Sequence, residues 1–291
     1  MSTVFDVLCC PVCSGRLFLK EKCLVCDAGH TYDLASSGYV NLLPPGRKNN
    51  RTTGDRRDLV RARSRFLETG LYDAVSDAAA QLVLHALKDK EPVFADFGCG
   101  EGYHTCRIAS AAAESFGAVT AVGIDASKYA AEAGARRAAR SGFSSFSDNG
   151  GNALGFIAGN FFAPPVRDGS LSCVVSMFAP VAYGACLRAL CEGGALAVVF
   201  PGPDHLIELR EAIYPEVKRT ERSLDPPRGL RATEKTEKRY KASLESAEVL
   251  SDLLGMTPFG CRVPEPAKER AFDSGLGNVT VDVSAVLLIR E

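Results

Sequence analysis

The sequence predicts an α/β protein, in which a mostly parallel sheet is covered by helices and preceded by a small cysteine-rich domain. Three observations support this fold class. From about residue 92 onward, short apolar runs alternate with helical stretches, which is typical of βαβ units. Five of the 11 cysteines fall within the first 26 residues. A chain of 291 residues is near the upper limit for one core, so one large domain with a small appendage is expected.

Composition and charge exclude several classes of protein. Hydrophobic residues make up 46% of the chain and charged residues 24%, as in ordinary globular proteins and unlike disordered ones. Lysine and arginine number 34 against 35 acidic residues, so any attraction to a polyanion has to come from local patches. No uninterrupted apolar run reaches the roughly 18 residues of a membrane span, and the N-terminal residues lack the pattern of a secretory leader. We expect a cytoplasmic protein with no membrane partner.

The chain divides into three predicted zones. Residues 1–45 form a cysteine-rich module with too little apolar material for a core of its own. Residues 46–90 are a basic linker that runs into a helix from about Leu71 to Leu87. Residues 91–291 form the α/β domain.

Apolar runs predict the strands of the α/β domain. The predicted buried strands are Val93–Phe97, Val119–Ile124, Leu171–Met177 and Ala195–Phe200. A late run, Val279–Ile289, predicts one or two closing strands. The alanine-rich stretch Tyr129–Arg140 predicts a helix, and the Ser/Gly/Asn-rich stretch 141–152 predicts a loop.

The cysteine-rich module contains a predicted metal site. Cys10-Pro-Val-Cys13 is a C-x-x-C pair on an expected tight turn, from which two thiolates can reach one tetrahedral ion. Zinc takes four ligands, and the six candidates are Cys9, Cys10, Cys13, Cys23, Cys26 and His30. Two sets are open, Cys10, Cys13, Cys23 and Cys26, or Cys10, Cys13, Cys26 and His30, and spacing alone slightly favours the first. Zinc binding would supply folding free energy to a segment that lacks a core.

The other six cysteines are scattered through apolar surroundings. An odd and scattered set in a chain of this length does not indicate a disulfide framework. We expect these six to be buried thiols that pack as small hydrophobic residues: Cys99, Cys106, Cys173, Cys186, Cys191 and Cys261.

A glycine-rich turn follows the first strand of the α/β domain. Its three glycines, which let the backbone approach a ligand closely, are Gly98, Gly100 and Gly102. Tyr103 stands where the dinucleotide fingerprint needs its third glycine, and Asp96 would repel a phosphate. The turn suits a cationic ligand instead, such as the amino and sulfonium groups of S-adenosylmethionine (SAM). Asp125, at the end of the next strand, can accept hydrogen bonds from two ribose hydroxyls.

Several strings of the chain together resemble one family of methyltransferases. The most specific are Gly38-Tyr-Val-Asn-Leu-Leu-Pro44, behind the cysteine pairs, and Pro201-Gly-Pro-Asp-His-Leu206, after a late strand. Others are Cys26-Asp-Ala-Gly-His30, Asp96-Phe-Gly-Cys-Gly-Glu-Gly-Tyr103 and Met256-Thr-Pro-Phe259. The sequence resembles the class I methyltransferases and, within them, the RlmA/TlrB family, which methylates guanine N1 in 23S ribosomal RNA.

The resemblance implies a fold, a zinc site and a cofactor pocket. The implied fold is a Rossmann-like class I methyltransferase domain with a mostly parallel seven-stranded sheet over residues 91–291, plus a small N-terminal zinc-binding domain for RNA recognition. The implied zinc ligands are Cys10, Cys13, Cys26 and His30, with Cys23 as a spare. Together, the residues and the resemblance predict a SAM site formed by Tyr72, Asp96, Gly98, Gly100, Glu101, Gly102, Tyr103, Asp125 and His205.

The implied activity is methyl transfer from SAM to N1 of a guanosine in 23S ribosomal RNA. A hairpin loop is the expected target, and a homodimer is an assembly to consider. Because N1 of guanine carries a proton at neutral pH, we expect a general base or a polar pocket that favours its loss. No residue is singled out for this role, and carboxylates or backbone carbonyls near Phe178-Ala-Pro180 are the candidates. A target within paired RNA would have to be flipped out of the helix.

Two basic runs are candidate RNA contacts. Residues 47–65 hold eight basic side chains and two acidic ones, and residues 214–241 hold nine basic and five acidic ones. Counterion release predicts that binding through these runs weakens steeply with salt. The alternatives are a methyltransferase acting on another RNA, a protein or a small molecule, and an inactive SAM-binding protein that binds nucleic acid.

Overall fold

The structure is a computed structural model that describes residues 3–44, 54–146, 151–219, 224–257 and 263–291. Its helices are α1 (Val4–Val7), α2 (Arg57–Glu68), α3 (Asp73–Leu87), α4 (Tyr103–Phe116), α5 (Lys128–Arg140), α6 (Tyr183–Ala189), α7 (Ile207–Ile213), α8 (Ala247–Met256) and α9 (Glu265–Asp273). Its strands are β1 (Leu17–Lys20), β2 (Cys23–Cys26), β3 (Thr31–Asp33), β4 (Tyr39–Asn41), β5 (Val93–Phe97), β6 (Thr120–Asp125), β7 (Ala153–Ala158), β8 (Leu171–Met177), β9 (Leu190–Pro201), β10 (Leu230–Ser243) and β11 (Asn278–Arg290).

An eight-stranded sheet organises the molecule, in the order β10-β11-β9-β8-β5-β6-β7-β4. Every neighbouring pair from β9 to β4 is parallel, whereas β11 pairs antiparallel with both β9 and β10. The predicted mostly parallel α/β fold is therefore confirmed. Strands β5 to β11 supply the predicted seven strands, and β4 adds an eighth at the edge because its ladder with β7 continues the parallel pairing.

The central strands are buried along their whole length, as expected of parallel strands covered by helices on both faces. Because β5, β6 and β8 run in the same direction, their carboxyl ends meet at one edge of the sheet. Ligands of open α/β sheets bind at this edge. Four of the predicted buried thiols, Cys99, Cys106, Cys173 and Cys186, are indeed buried, whereas Cys191 is half-buried and Cys261 lies outside the described residues.

The N-terminal segment is joined to the α/β domain on both sides of a small antiparallel ribbon. Strands β1, β2 and β3 form the ribbon. Before it, Leu8 forms an antiparallel bridge with Val166, and Cys9 N–H donates to Pro165 O over 3.0 Å. After it, β4 becomes the edge strand of the large sheet. The domain boundaries at 45 and 90 stay predictions, and the structure adds that β4 shares the sheet of the α/β domain.

The Phe156 ring fills a slot between β6, α5 and the glycine-rich turn. A Cβ atom at Gly102, Gly123 or Gly134 would lie within 2.5 Å of this ring. The Phe156 side chain is fully buried. The three glycines therefore let one aromatic ring fix the glycine-rich turn against the sheet.

Helices α2 and α8 pack against each other over the carboxyl edge of the sheet. A Cβ atom at Gly255 would lie 2.9 Å from Ala62 Cβ, so the two helices touch closely. Arg65 Nε donates to Asp252 Oδ2 over 2.8 Å and links the same helices. None of the helices in the described ranges is both long and apolar enough to cross a membrane.

Candidate active site and metal centre

Four of the six candidate metal ligands come together in the ribbon. The ligand atoms of Cys10, Cys13, Cys26 and His30 all lie within 4.8 Å of one another. Cys13 Sγ is 3.6 Å from Cys26 Sγ, and His30 Nδ1 is 3.3 Å from Cys26 Sγ. Two sulfurs on one zinc ion are about 3.8 Å apart, whereas a disulfide holds them about 2 Å apart. The donor set and its spacing fit one tetrahedral zinc ion.

Two tight turns bring these ligands together. In the first, Ser14 N–H donates to Cys10 O over 2.8 Å, which folds the C-x-x-C pair into a knuckle. In the second, Gly29 N–H donates to Cys26 O over 2.8 Å. Gly29 has φ +82°, a conformation that glycine adopts without the clash a Cβ would cause. This second turn returns His30 to the side of the ribbon that carries Cys26.

Cys23 and Cys9 lie outside the cluster. Cys23, at the start of β2, donates its thiol to Lys20 O over 3.3 Å. Cys9 is buried, and burial raises the pKa of its thiol to about 11. Of the two zinc sets that the spacing left open, the geometry supports the one with His30.

Tyr32 supports the cluster from β3. Its hydroxyl lies 3.0 Å from Cys10 Sγ. Burial opposes ionisation of the Cys10 thiol, but hydrogen bonds from Tyr32 and from the backbone of Cys13 and Val12 outweigh it and lower the pKa to about 6. Thiolate is the form that binds zinc, so the protein itself favours the metal-binding state.

A cavity of about 700 Å³ opens at the carboxyl edge of the large sheet. Six of the nine residues predicted to bind SAM line it, namely Tyr72, Gly98, Gly100, Glu101, Asp125 and His205. Asp125 Oδ2 accepts the Gly100 N–H over 3.1 Å, which ties the end of β6 to the glycine-rich turn. Burial raises the pKa of Asp125, while hydrogen bonds from the Ser127 and Gly100 backbone oppose this shift.

Asp96, Gly102 and Tyr103 lie behind the cavity wall rather than in it. Asp96 is fully buried, accepts the Thr105 hydroxyl at Oδ2 over 2.6 Å, and has no hydrogen-bond partner at Oδ1 among the described residues. Gly102 packs on Phe156, so its lack of a side chain serves packing. The Tyr103 hydroxyl donates to Asp73 on α3.

Tyr72 and His205 form a hydrogen-bonded pair on the wall. His205 Nδ1 accepts the Asp282 N–H over 3.2 Å, and its Nε2 lies 3.1 Å from the Tyr72 hydroxyl oxygen. Burial lowers the pKa of His205 to about 4, so the ring is neutral at pH 7. A neutral ring that accepts at Nδ1 carries its proton on Nε2, which donates to Tyr72. The Tyr72 hydroxyl proton is then directed away from His205.

The structure adds aromatic residues that the sequence analysis did not assign to the site. Phe178, Phe161 and His104 line the cavity. His104 Nδ1 lies 2.8 Å from Ser76 Oγ, and burial lowers the pKa of His104 to about 3. Phe178 has φ +53°, a left-handed conformation that costs a non-glycine residue about 1–2 kcal/mol. Only its position directly after a buried strand could have pointed to Phe178.

Asp55 and Arg63 bring the zone before the α/β domain into the site. Both line the cavity, and Arg63 Nη2 lies 2.6 Å from Asp55 Oδ2. A Cβ atom at Gly54 would lie 2.5 Å from Ser127 N, so the chain passes directly over the loop that follows Asp125. Arg63 also lies 3.5 Å from the place of a Cβ at Gly100. Helix α2 and the residues just before it thus cover the glycine-rich turn.

The residues present fit SAM. The carboxylate Asp125 at the end of β6 is placed to accept from ribose hydroxyls, and the backbone at Gly98 and Gly100 forms part of the cavity wall. Directly behind this wall, Asp96 keeps one buried oxygen that has no hydrogen-bond partner among the described residues. Tyr72 and His205 add neutral polar groups to the same wall.

Comparison with known proteins identifies both parts of the chain. The family profile described as "RlmA, N-terminal", a zinc ribbon, matches residues 8–51, and a profile described as "Methyltransferase domain" matches residues 95–198. The 23S rRNA (guanine(748)-N(1))-methyltransferase of Streptomyces fradiae is 33% identical over 211 residues, which cover 72% of this chain and 69% of that protein.

A second relative matches over the full length. The Bacillus subtilis protein YxjB, provisionally assigned as a 23S rRNA (guanine-N(1)-)-methyltransferase, is 30% identical over 97% of both chains. The zinc-ligand cluster, the glycine-rich cavity and these matches agree with one another. The chain belongs to the RlmA family of 23S rRNA guanine-N1 methyltransferases.

Proposed function

We propose that the cavity at the carboxyl edge of the sheet binds SAM and receives one guanosine from a hairpin loop of 23S rRNA for methylation at N1. The proposal rests on one observation: Gly98, Asp125 and the hydrogen-bonded pair Tyr72–His205 all line the same cavity. The family relationship supports the reaction and the RNA.

The residues of this chain mainly position the reactants. SAM supplies a methyl group on a sulfonium when it is bound, and in-line transfer requires the acceptor nitrogen to be aligned with that methyl. Asp125 would hold the ribose, and the buried Asp96 carboxylate would attract the cationic end of the ligand. Helices α2 and α8 line the cavity with the apolar side chains of Leu67 and Met256.

We further propose that exposed arginines of α2 contact the RNA. Arg56, Arg57 and Arg61 are exposed on the described part of the first basic run; Arg56 pairs with Asp58, whereas Arg57 and Arg61 form no salt bridge among the described residues. Arg47, Lys48 and Arg51 lie outside the described residues. In the second run, Arg231, Lys235, Arg239 and Lys241 each pair with an acidic side chain. The first run is therefore the stronger candidate.

The zinc ribbon, with Cys10, Cys13, Cys26 and His30 as its ligands, would act in RNA recognition. A homodimer and a cytoplasmic location stay predictions, the second supported by the ribosomal RNA substrate of the relatives. Sedimentation of the purified protein at micromolar concentration would test the dimer.

The activity is tested by incubating the full chain with tritiated SAM and unmodified 23S rRNA, followed by nucleoside analysis. We expect label in 1-methylguanosine. An Asp125→Ala variant should bind SAM weakly and leave the RNA unlabelled. If the wild-type protein binds SAM in a calorimeter but transfers no label to RNA, another substrate class replaces the proposed one.

A further inference from the structure

Phe178 is an apolar side chain held in the open wall of the cavity. It directly follows β8, and 39% of its surface is exposed. The cavity lies at the edge where the ends of β5 and β8 meet. A large aromatic side chain exposed inside a cavity differs from one on the outer surface, because a ligand can cover it completely.

The backbone at Phe178 is constrained to hold this position. Its φ of +53° is left-handed, and its N–H donates to Val199 O over 2.9 Å. The following residue, Ala179, packs closely on the glycine-rich turn. A Cβ at Gly98 would lie 2.7 Å from the Cβ of Ala179. Such strained residues persist where the surroundings enforce them, and they cluster at ligand sites.

Neutral rings support Phe178 from one side. Its ring stacks on His205 with centroids 5.7 Å apart and planes 30° apart. Tyr72 and His104 lie at centroid distances of 6.1 and 6.3 Å. His205 is itself fixed by the Asp282 N–H and by Tyr72. The ring is therefore oriented by its neighbours and keeps an exposed surface toward the cavity.

Phe178 lies apart from the expected ribose position. In the sheet, β8 and β6 flank β5 on opposite sides, so the ends of the two strands are about 10 Å apart. Asp125 ends β6, whereas Phe178 follows β8. A cofactor whose ribose is held at Asp125 leaves the exposed part of Phe178 for the second reactant.

We propose that the target guanine stacks on Phe178 when its N1 faces the methyl donor. This inference rests on the proposed function. A base brought out of RNA loses its stacking partners, and aromatic side chains commonly replace them. Phe178 would thereby hold the guanine plane in one orientation and align N1 for transfer.

The test compares Phe178→Ala, Phe178→Leu and Phe178→Tyr in steady-state methylation of 23S rRNA. We expect kcat/KM for RNA to fall about 10- to 100-fold in Phe178→Ala, since loss of one base–aromatic stack has this size. Phe178→Leu should stay low because leucine fills space without an aromatic face, whereas Phe178→Tyr should restore most activity. The affinity for SAM, measured by calorimetry, should be unchanged in all three.

Phe272→Ala is the matched control, because Phe272 is 41% exposed on α9 and does not line the cavity. We expect wild-type kcat/KM for it. Leucine at 178 with wild-type kcat/KM would overturn the stacking role, and so would a loss of SAM affinity equal to the loss of kcat/KM. If the wild-type protein forms no 1-methylguanosine, the proposed function fails first and the stacking role with it.

Discussion

At the scale of single residues, the Tyr72 hydroxyl shows how a neighbour sets the direction of a hydrogen bond. Because His205 Nε2 donates to its oxygen, the Tyr72 hydroxyl proton is left to donate to a ligand. We predict that Tyr72→Phe raises the Kd for SAM about 3- to 10-fold, the effect of one net hydrogen bond. Calorimetric titration measures it. Tyr240→Phe is the control, since the Tyr240 hydroxyl donates to Leu71 O; equal affinities in both variants would contradict the assignment.

Asp96 makes the stability of the unliganded protein depend on pH. Burial raises the pKa of Asp96 to about 7, above the value of about 4 in an unfolded chain. The folded state keeps a proton that the unfolded state has already lost, so this residue's contribution to stability falls as pH rises from about 4 to about 7. We predict that Asp96→Asn, which stays neutral, removes this contribution.

The measurement is Tm at pH 5 and pH 8 for the wild type and the variant, without SAM. The drop in Tm toward pH 8 should be smaller in Asp96→Asn. Asp89→Asn, an exposed carboxylate after α3, is the control. Parallel pH profiles for wild type and Asp96→Asn would show that the Asp96 carboxyl ionises as it does in water.

Residue chemistry could be predicted from the sequence where local spacing decides it. Gly98, Gly100 and Asp125 were expected at a ligand cavity, and the structure places all three in its wall. The exposure of the Phe178 ring in the cavity could not be predicted, because an aromatic residue after a buried strand is ordinarily core. Its exposure depends on a left-handed backbone angle that no local pattern announces.

At the scale of elements, the ribbon separates two cysteines whose C-x-x-C spacing is typical of a pair of metal ligands. Cys23 and Cys26 lie at the two ends of β2, and residues three apart on an extended strand point to opposite faces about 10 Å apart. Spacing alone favoured the four-cysteine set because Cys23-Leu-Val-Cys26 resembles a knuckle. A knuckle requires a turn, and this stretch is a strand.

We therefore predict different metal contents for two conservative variants. Cys26→Ser should lose bound zinc, whereas Cys23→Ser should retain about one zinc per chain. Plasma emission spectrometry of the purified proteins measures the metal. Loss of zinc from Cys23→Ser would favour the four-cysteine set instead, whereas retention of zinc in Cys26→Ser would contradict both sets, because Cys26 belongs to each.

The slot around Phe156 predicts an unusual response to alanine. In most exposed helical positions, glycine to alanine stabilises by up to about 1 kcal/mol. At Gly134 on α5, a Cβ would lie 2.4 Å from the Phe156 ring, so we expect Gly134→Ala to destabilise by about 1–3 kcal/mol. Gly184→Ala on α6, where nothing lies within 4 Å of the added atom, is the matched control. Urea unfolding distinguishes them, and equal midpoints would mean that the slot can widen.

Several elements were not predicted from the sequence, among them β7, β10 and α2. Strand β10 is 14 residues long, lies at a sheet edge and carries many charged side chains. Without its partner β11 in view, such a sequence is also typical of a solvated charged stretch. Helix α2 lies in the zone expected to be a linker, because its many arginines obscured the buried stripe of Val60, Ala62, Phe66 and Leu67. The assignments of β10 and α2 both depend on a distant packing partner, which is α8 in the case of α2.

At the scale of the whole molecule, a net charge near zero does not exclude a local patch of basic side chains. The chain carries a formal net charge of −1, yet Arg57 and Arg61 are exposed on α2, which covers the cavity. We predict that replacing both arginines with alanine makes the plot of log K for binding to 23S rRNA fragments against log salt less steep. The magnitude of its negative slope should fall by about 1.4–1.8. Filter binding from 50 to 300 mM salt, a range over which such contacts weaken strongly, measures this slope.

Arg231→Ala is the control for this prediction, because Arg231 pairs with Glu291 at the far edge of the sheet. Its slope should match that of the wild type. An unchanged slope in the double variant would place the RNA elsewhere on the surface.

The ribbon is inserted between two segments that both pair with the α/β domain. Leu8 and Cys9 anchor the chain before it at Val166 and Pro165, and β4 pairs with β7 after it. A recombinant exchange of ribbons between relatives should therefore be spliced near residues 9 and 36 rather than at 45. Splicing there transplants the zinc ribbon alone and leaves the recipient's own edge strand in register.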